Sequence, residues 1–216
     1  MKAAGYGGVV DLQYPFTGRW LVQNSPANRV PSHRKTVFAT SYAIDFVPVG
    51  DTHRTAPVTF ATLLRPEPPE KFPGFGRPVL APADGAVVAV HDSEPDHAAY
   101  RGLPSLRYAL TQSRRAAAGW TALAGNYVVL ESGGGAFIVL CHLQQGSVKP
   151  SAGQRVRAGE LLGRCGNSGN STEPHLHIQA INTPDIERAS AVQMRFKGSL
   201  PRNGQIVEID EQARAV

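Results

Sequence analysis

Short apolar runs broken by glycine and proline constrain the fold of this chain more than any other feature. Helical periodicity is nearly absent, whereas segments rich in Val, Ile, Leu or aromatic residues recur between Gly, Pro, Asn and Ser. The 22 glycines and 17 prolines supply the turns that many short strands require. The predicted strands are 19–22, 40–49, 58–64, 86–90, 126–131, 136–142, 161–165 and 175–180. We therefore predict an all-β protein.

One stretch departs from this pattern. Residues 95–120 are rich in Ala, Arg and Leu, and 105–118 could form a short helix. We interpret this stretch as a partly helical insertion at the rim of a cleft. The predicted organisation is a single domain of antiparallel sheets, with an N-terminal strand and extension over 1–30, a core over 31–184 and a C-terminal extension over 185–216 packed on the core.

Charge and composition exclude several classes of protein. The net charge of +5 favours anionic partners in general, but the positive residues are scattered, which disfavours nucleic acid and leaves an anionic polymer such as a cell wall. Two cysteines cannot build a disulfide scaffold. No apolar run is long enough to span a bilayer, and the N-terminal residues do not form a convincing signal peptide. Compartment and oligomeric state are left open.

Three features carry candidate chemistry. His175 and His177 flank one residue of a predicted strand, so their side chains point to the same face and could approach one metal ion. His142 ends the strand 136–142, and Asp45 interrupts an apolar strand, where a buried carboxylate is costly unless it is paired or binds a metal. Each feature has an ordinary alternative: exposed histidines, a core histidine, and an edge-strand carboxylate in solvent.

Together these residues match the needs of a catalytic zinc site. Such a site takes three protein ligands, typically histidine and carboxylate, and leaves a fourth position for water. Further histidines near the metal could accept a proton from that water and stabilise charge on the attacked carbonyl.

A family resemblance is carried by motifs that follow one another in order along the chain. They are Asp45 in its apolar strand, Ala81–Val87 (APADGAV), Gly125–Leu130 (GNYVVL), Cys141–Leu143, Val148–Gly163 and Gly166–Ile178 (GNSGNSTEPHLHI). From about residue 31 to 181 the sequence resembles the lysostaphin-like (LytM-type) zinc metallopeptidases, which are peptidoglycan endopeptidases. The resemblance implies antiparallel sheets of the duplicated hybrid motif type that form a substrate groove with Zn²⁺ at its floor. It also implies metal ligands at Asp45 and His177 and catalytic roles for His142 and His175.

One departure from the family pattern concerns the first metal ligand. The family places a histidine four residues before the aspartate, where this chain has Ser41. The nearest upstream histidine is His33, and a folded-back segment of 12 residues can easily return it to Asp45. We predict His33 as the third ligand and His53 as the fallback.

The leading hypothesis is a zinc-dependent endopeptidase that acts on peptidoglycan peptides, placed in the cell envelope or outside the cell if the resemblance holds. The alternative is an inactive member that binds wall polymer or regulates a partner hydrolase. A carrier or phosphotransfer module is a third hypothesis, although no lysine lies at the hairpin tips near 84–85 and 151–153. A cupin would need a glutamate soon after the paired histidines, and none follows.

Overall fold

The computed structural model describes residues 8–50, 55–56 and 60–210 of the 216-residue chain. In the described residues the strands are β1 (Val9–Leu12), β2 (Gly18–Gln23), β3 (Ile44–Pro48), β4 (Pro78–Leu80), β5 (Gly85–His91), β6 (Asn126–Ser132), β7 (Phe137–Leu143), β8 (Arg155–Val156), β9 (Leu161–Arg164), β10 (Leu176–Ile181), β11 (Ala191–Phe196) and β12 (Ile206–Ile209). The helices are α1 (Phe60–Leu64), α2 (Leu103–Leu110), α3 (Gln112–Ala117) and α4 (Trp120–Ala124), with 3₁₀ turns over Val37–Tyr42 and Pro69–Lys71.

One large sheet organises the molecule. Its strand order is β12-β2-β3-β10-β7-β6-β5-β8, and all of these pairs are antiparallel. β11 also pairs with β10, and β1 joins β11 in parallel, while β4 and β9 form a separate two-stranded sheet. The prediction of an all-β fold with a partly helical insertion is confirmed.

β3 and β10 are neighbouring interior strands of the sheet, and every residue in both is buried. Strands that are buried on both faces usually consist of consecutive apolar residues, because neither face is open to solvent. Polar side chains in these strands therefore need partners. That requirement applies to Asp45 in β3 and to His177 and Gln179 in β10.

An aromatic cluster fills the core on one side of this sheet. Phe16 and Trp20 stack with ring centroids 4.4 Å apart, and Tyr14 stacks on Phe196 at 5.1 Å. Phe46 from β3 contacts Phe16 edge-on at 4.9 Å. The cluster thus joins residues from both ends of the chain to the central strand that carries Asp45.

Some predicted strands are corrected. The strand predicted over 58–64 is wrong in its described part, because residues 60–64 form helix α1. The strand predicted over 40–49 begins only at Ile44, since residues 37–42 form a 3₁₀ turn in which Phe38 and Ala39 have positive φ. Short apolar runs do not distinguish helix from strand by periodicity, so tertiary contacts decide. β1, β4 and β8 were not predicted. Residues 195–209, which the sequence predicts to form a closing strand pair, contain β12 and only the end of β11, which begins at Ala191.

The insertion is helical in two pieces. The helix predicted over 105–118 corresponds to α2 and α3, which Thr111 separates. α4 follows directly and leads into β6. The division of the chain into extension, core and extension stays a prediction. In the described residues no helix has the length and apolar character needed to cross a membrane.

Candidate metal centre

Asp45 is the residue around which the site is built. Its strand lies between β2 and β10, so the carboxylate does not reach solvent at a sheet edge, and the residue is only 5% exposed. In the β3–β10 register Asp45 is the partner of His177. Oδ2 accepts a hydrogen bond from Asn24 Nδ2 at 2.7 Å, which holds the carboxylate in place.

His33 reaches Asp45 through a folded-back loop. Ser32, which is fully buried, donates its backbone N–H to Ser41 O at 3.0 Å. Ser41 lies four residues before Asp45, so this bond brings the loop that carries His33 alongside the chain just before Asp45. His33 Nε2 lies 3.0 Å from Asp45 Oδ2. His53, the fallback ligand, lies outside the described residues.

Hydrogen bonds on the outer side of the His33 ring determine which nitrogen carries its proton. The Ser32 hydroxyl donates to Thr40 O at 3.2 Å, so its oxygen is left to accept from His33 Nδ1 at 3.0 Å. With the proton on Nδ1, the neutral ring directs the lone pair of Nε2 toward the Asp45 carboxylate.

The same logic applies to His177. The Gln179 amide donates Nε2–H to Phe38 O at 2.8 Å, which turns its carbonyl oxygen toward His177 Nε2 at 3.0 Å. The proton of the neutral His177 ring therefore lies on Nε2, and the lone pair of Nδ1 faces Asp45 Oδ1 at 2.9 Å. Gln179 was not singled out by the sequence analysis, although it lies two residues after His177 and so on the same face of the strand.

These three residues fit a metal ion. One ligand atom from each of His33, Asp45 and His177 lies within 4.8 Å of the others. Two imidazole lone pairs directed at a carboxylate repel it unless a cation lies between them, and two histidines with one carboxylate are a donor set that zinc takes. Outer hydrogen bonds from the two rings to a serine and a glutamine fix ligand orientation in the way that supporting partners do in metal proteins.

Protons are the other way to satisfy the same contacts. A proton on each facing nitrogen would make His33 and His177 imidazolium ions. Burial acts to raise the pKa of Asp45, but interaction with the charge of His33 and hydrogen bonds to both rings hold it well below its usual value. A metal ion that replaces these protons would release them, so metal binding and protonation compete for one site.

His142 and His175 lie beside this group. His142, at the end of β7, donates Nδ1–H to Ser168 O at 2.9 Å, and its ring centroid is 4.7 Å from that of His175. His175 donates Nδ1–H to Glu173 O at 2.8 Å, and its Nε2 lies 3.9 Å from Asp45 Oδ1. In both neutral rings the Nε2 lone pair is therefore available to accept a proton. Burial, followed by the proximity of His175 and His177, lowers the pKa of His142 well below its usual value.

The structure therefore places all five sequence-predicted residues together, at a cleft of about 560 Å³. Its lining includes an apolar group and a basic group in addition to the histidines and Asp45. The apolar group is Val37, Phe38, Trp120, Leu123 and Ala124, and the basic group is Arg29, Arg34 and Lys35. Asn24 was missed from sequence, and no signal marks it, since it adopts positive φ in a loop after β2.

The fold and the donor set define an antiparallel β protein with a candidate single-metal site. Residues 108–194 match the family model described as Peptidase family M23. This segment of the chain is therefore similar to the M23 peptidases, and the resemblance to lysostaphin-like metallopeptidases is confirmed. The match contains His142, His175 and His177, whereas His33 and Asp45 lie outside it.

Two curated relatives align over part of the chain. An "Uncharacterized metalloprotease" of Haemophilus influenzae is 38% identical over 104 residues, which are 48% of this chain and 16% of that protein. "Peptidoglycan DD-endopeptidase ShyA" of Vibrio cholerae is 35% identical over 79 residues, which are 37% of this chain and 18% of that protein. The aligned segments thus span less than a fifth of either relative.

Similar solved structures have low sequence identity. The catalytic domain of the antimicrobial peptidase lysostaphin from Staphylococcus simulans is 20% identical, with a TM-score of 0.39 over 69% of this chain and 74% of that one. A putative peptidase M23 from Pseudomonas aeruginosa is 18% identical, with a TM-score of 0.41 over 87% of this chain and 53% of that one.

Proposed function

We propose that this chain is a zinc-dependent endopeptidase that hydrolyses peptide bonds of cell-wall (peptidoglycan) peptides. The observation that carries the proposal is the convergence of His33, Asp45 and His177, with one ring nitrogen of each imidazole within 3.0 Å of the Asp45 carboxylate. The M23 match and the peptidoglycan endopeptidase among the relatives support the substrate class. Work on the cell wall would place the protein in the cell envelope or outside the cell.

The proposed ligands are His33 Nε2, an Asp45 oxygen and His177 Nδ1. Zinc held there supplies Lewis acidity, which activates water and polarises a carbonyl. The side chains beside the proposed metal ligands supply a proton acceptor. His142 is neutral near pH 7, because its pKa is lowered, so its Nε2 can accept a proton from the attacking water and return it to the leaving amine.

His175 is proposed to act with His142. Its Nδ1–H bond to Glu173 O fixes the ring, and its Nε2 lies near the Asp45 carboxylate without bonding to it. With a proton taken up from solvent, this nitrogen can donate a hydrogen bond to the charge that develops on the attacked carbonyl oxygen. The apolar part of the cleft, with Phe38 and Trp120, excludes water from the bound peptide and strengthens both interactions.

The test is metal analysis joined to peptide cleavage. The purified chain is exchanged into zinc, its metal content is measured, and it is assayed on cross-linked peptidoglycan peptides. We expect one zinc per chain and cleavage, and we expect His33→Ala to lose both. His91→Ala is the matched control, because His91 lies on β5 outside the cleft lining and should leave both unchanged.

The outcomes separate the alternatives. Zinc binding without cleavage of any wall peptide would support an inactive, polymer-binding member. Full zinc binding by His33→Ala would remove His33 from the ligand set. Absence of zinc from the wild-type chain would overturn the proposal.

A further inference from the structure

The loop that carries His33 also carries a cluster of positive charge. Arg29, Arg34 and Lys35 all line the cleft that contains the candidate metal site, and all three are exposed. Apart from the proposed ligand Asp45, Glu173 is the acidic residue in the lining. The two arginines against the one negative charge of Glu173 leave this part of the cleft cationic, and a bound zinc ion would add to that charge.

Neither arginine is neutralised within the described residues. Arg29 donates Nε–H to Ser32 O at 3.2 Å, which leaves its two terminal nitrogens for other acceptors. Arg34 forms no ion pair in the described part of the chain. By contrast, Arg101 is bound to Glu67 at 2.6 Å. Arg29 and Arg34 thus differ from Arg101, whose charge is neutralised by an ion pair within the fold.

The backbone holds these charges in a defined place. Arg34 has a φ of 58° and donates its N–H to Pro31 O at 3.1 Å, so residues 31–34 form a closed turn. The bond from Ser32 N to Ser41 O ties this turn to the chain just before β3. The same contacts that return His33 to Asp45 therefore fix Arg29 and Arg34 beside the site.

We propose that this loop makes the cleft selective for peptides that carry a free carboxylate close to the scissile bond. The inference rests on the proposed function and names the substrate class more closely. A guanidinium group presents paired N–H donors that match the two oxygens of a carboxylate, and a cationic cleft attracts a carboxylate before it docks. Neutral peptides, and peptides whose carboxylate is amidated, lack this interaction.

Binding and cleavage are measured with one fluorescent cell-wall peptide made in two forms. The carboxyl group close to the scissile bond is a free carboxylate in one form and a carboxamide in the other. Fluorescence anisotropy with the full zinc-exchanged chain gives the affinities, and a separate assay gives kcat/KM. We expect the acid form to bind several times more tightly, and we expect Arg34→Glu to weaken its binding about fivefold while the amide is unaffected. The preference should shrink as salt is raised. Arg157→Glu is the control, because Arg157 is exposed outside the cleft lining and the charge change is the same.

The results distinguish this inference from the proposed function. Equal affinity for the acid and amide forms, or equal weakening by Arg34→Glu and Arg157→Glu, would overturn charge selection even if both peptides are cleaved. Selective binding of the acid form without cleavage of either peptide would leave the inference standing and overturn the endopeptidase assignment. Arg34→Lys keeps the positive charge but removes the paired N–H donors of the guanidinium group. An affinity for the acid form between those of the wild type and Arg34→Glu is therefore expected.

Discussion

Each imidazole in the site is oriented by a hydrogen bond on its outer side. His33 and His177 are held by Ser32 and Gln179, and His142 and His175 are held by the backbone carbonyls of Ser168 and Glu173. In the neutral rings the outer nitrogen carries the proton and the inner nitrogen keeps its lone pair. The site is therefore preorganised by neighbours that hold the four rings from their outer side, which lowers the cost of assembling it when a ligand arrives.

Gln179 gives a prediction at this scale. Gln179→Leu removes the acceptor for His177 Nε2–H, so the ring loses the bond that directs Nδ1 toward Asp45. We expect zinc affinity to fall about 10- to 100-fold, measured by competition with a chromophoric chelator. The ¹⁵N spectrum of the His177 ring in the metal-free protein should show a mixture of tautomers in place of the Nε2–H form.

Gln179→Glu serves as the conservative variant. Its carboxylate still accepts from His177, although it cannot donate to Phe38 O. It should recover most of the zinc affinity, since the acceptor is what orients the ring. Unchanged affinity in Gln179→Leu, or no recovery in Gln179→Glu, would show that Gln179 does not act through His177.

At the scale of elements, helices α2 and α3 of the insertion hold the loop that precedes β10. Tyr108 in α2 donates its hydroxyl to Gly169 O at 2.9 Å, and Arg115 in α3 donates to Asn170 Oδ1 at 2.8 Å. The Arg115 guanidinium also lies 3.6 Å from the centroid of the Tyr108 ring. Since Asn170 lines the cleft, the insertion shapes the rim of the site through this loop.

The contact between Tyr108 and Gly169 depends on pH, because the Tyr108 hydroxyl can donate its hydrogen bond only while it is protonated. Burial raises its pKa to about 12, and the nearby positive charge of Arg115 opposes that rise without cancelling it. Because the folded pKa lies above the unfolded value of about 10, the stability that Tyr108 contributes is complete below pH ~10 and is lost as the pH rises toward 12. The difference between the phenolate absorbance titrations of wild type and Tyr108→Phe should show one group with a midpoint near 12.

A midpoint near 10 in that difference curve would mean that Tyr108 is solvated and does not hold the loop. Tyr108→Phe should also unfold more easily at neutral pH by about 1 kcal/mol, because Gly169 O loses a donor. Urea denaturation followed by circular dichroism measures this change.

At the scale of the whole molecule, the two ends of the described chain close the core together. β1 pairs in parallel with β11, and β12 pairs with β2 at the edge of the sheet. The aromatic cluster contains Tyr14 from the N-terminal part and Phe196 from β11 around Phe46. Because Phe46 follows Asp45 in β3, packing of both ends supports the strand that carries the site.

Truncation of Phe196 tests this arrangement. Its side chain is fully buried, so Phe196→Ala should lower the free energy of unfolding by about 3–5 kcal/mol. Leu110→Ala removes a side chain that is 82% exposed and should change it by less than ~0.5 kcal/mol. Guanidinium denaturation should show one cooperative transition for both variants. A loss below ~1 kcal/mol for Phe196→Ala would mean that β11 does not share the core.

The fold class was predictable because strand periodicity and turn residues are local properties of the chain. The positions of β2, β5, β6, β7, β9 and β10 agree with the predicted strands to within one or two residues. The helix at 60–64 and the 3₁₀ turn before β3 were not predictable in this way. Their apolar residues are also found in strands, and the positive φ of Phe38 and Ala39 depends on the loop around them.

By itself the sequence predicted that His175 and His177 share one face, since alternation along a strand needs no tertiary information. Both line the cleft, although His175 lies just before β10. It also marked Asp45 and His142 as polar residues in apolar runs. Only the tertiary structure decided that His33 returns to Asp45 across 12 residues, that Gln179 and Ser32 orient the rings, and that Arg29 and Arg34 line the same cleft. The physical reason is that such contacts depend on loop closure and strand order, which join residues far apart in the chain and leave no periodic trace in it.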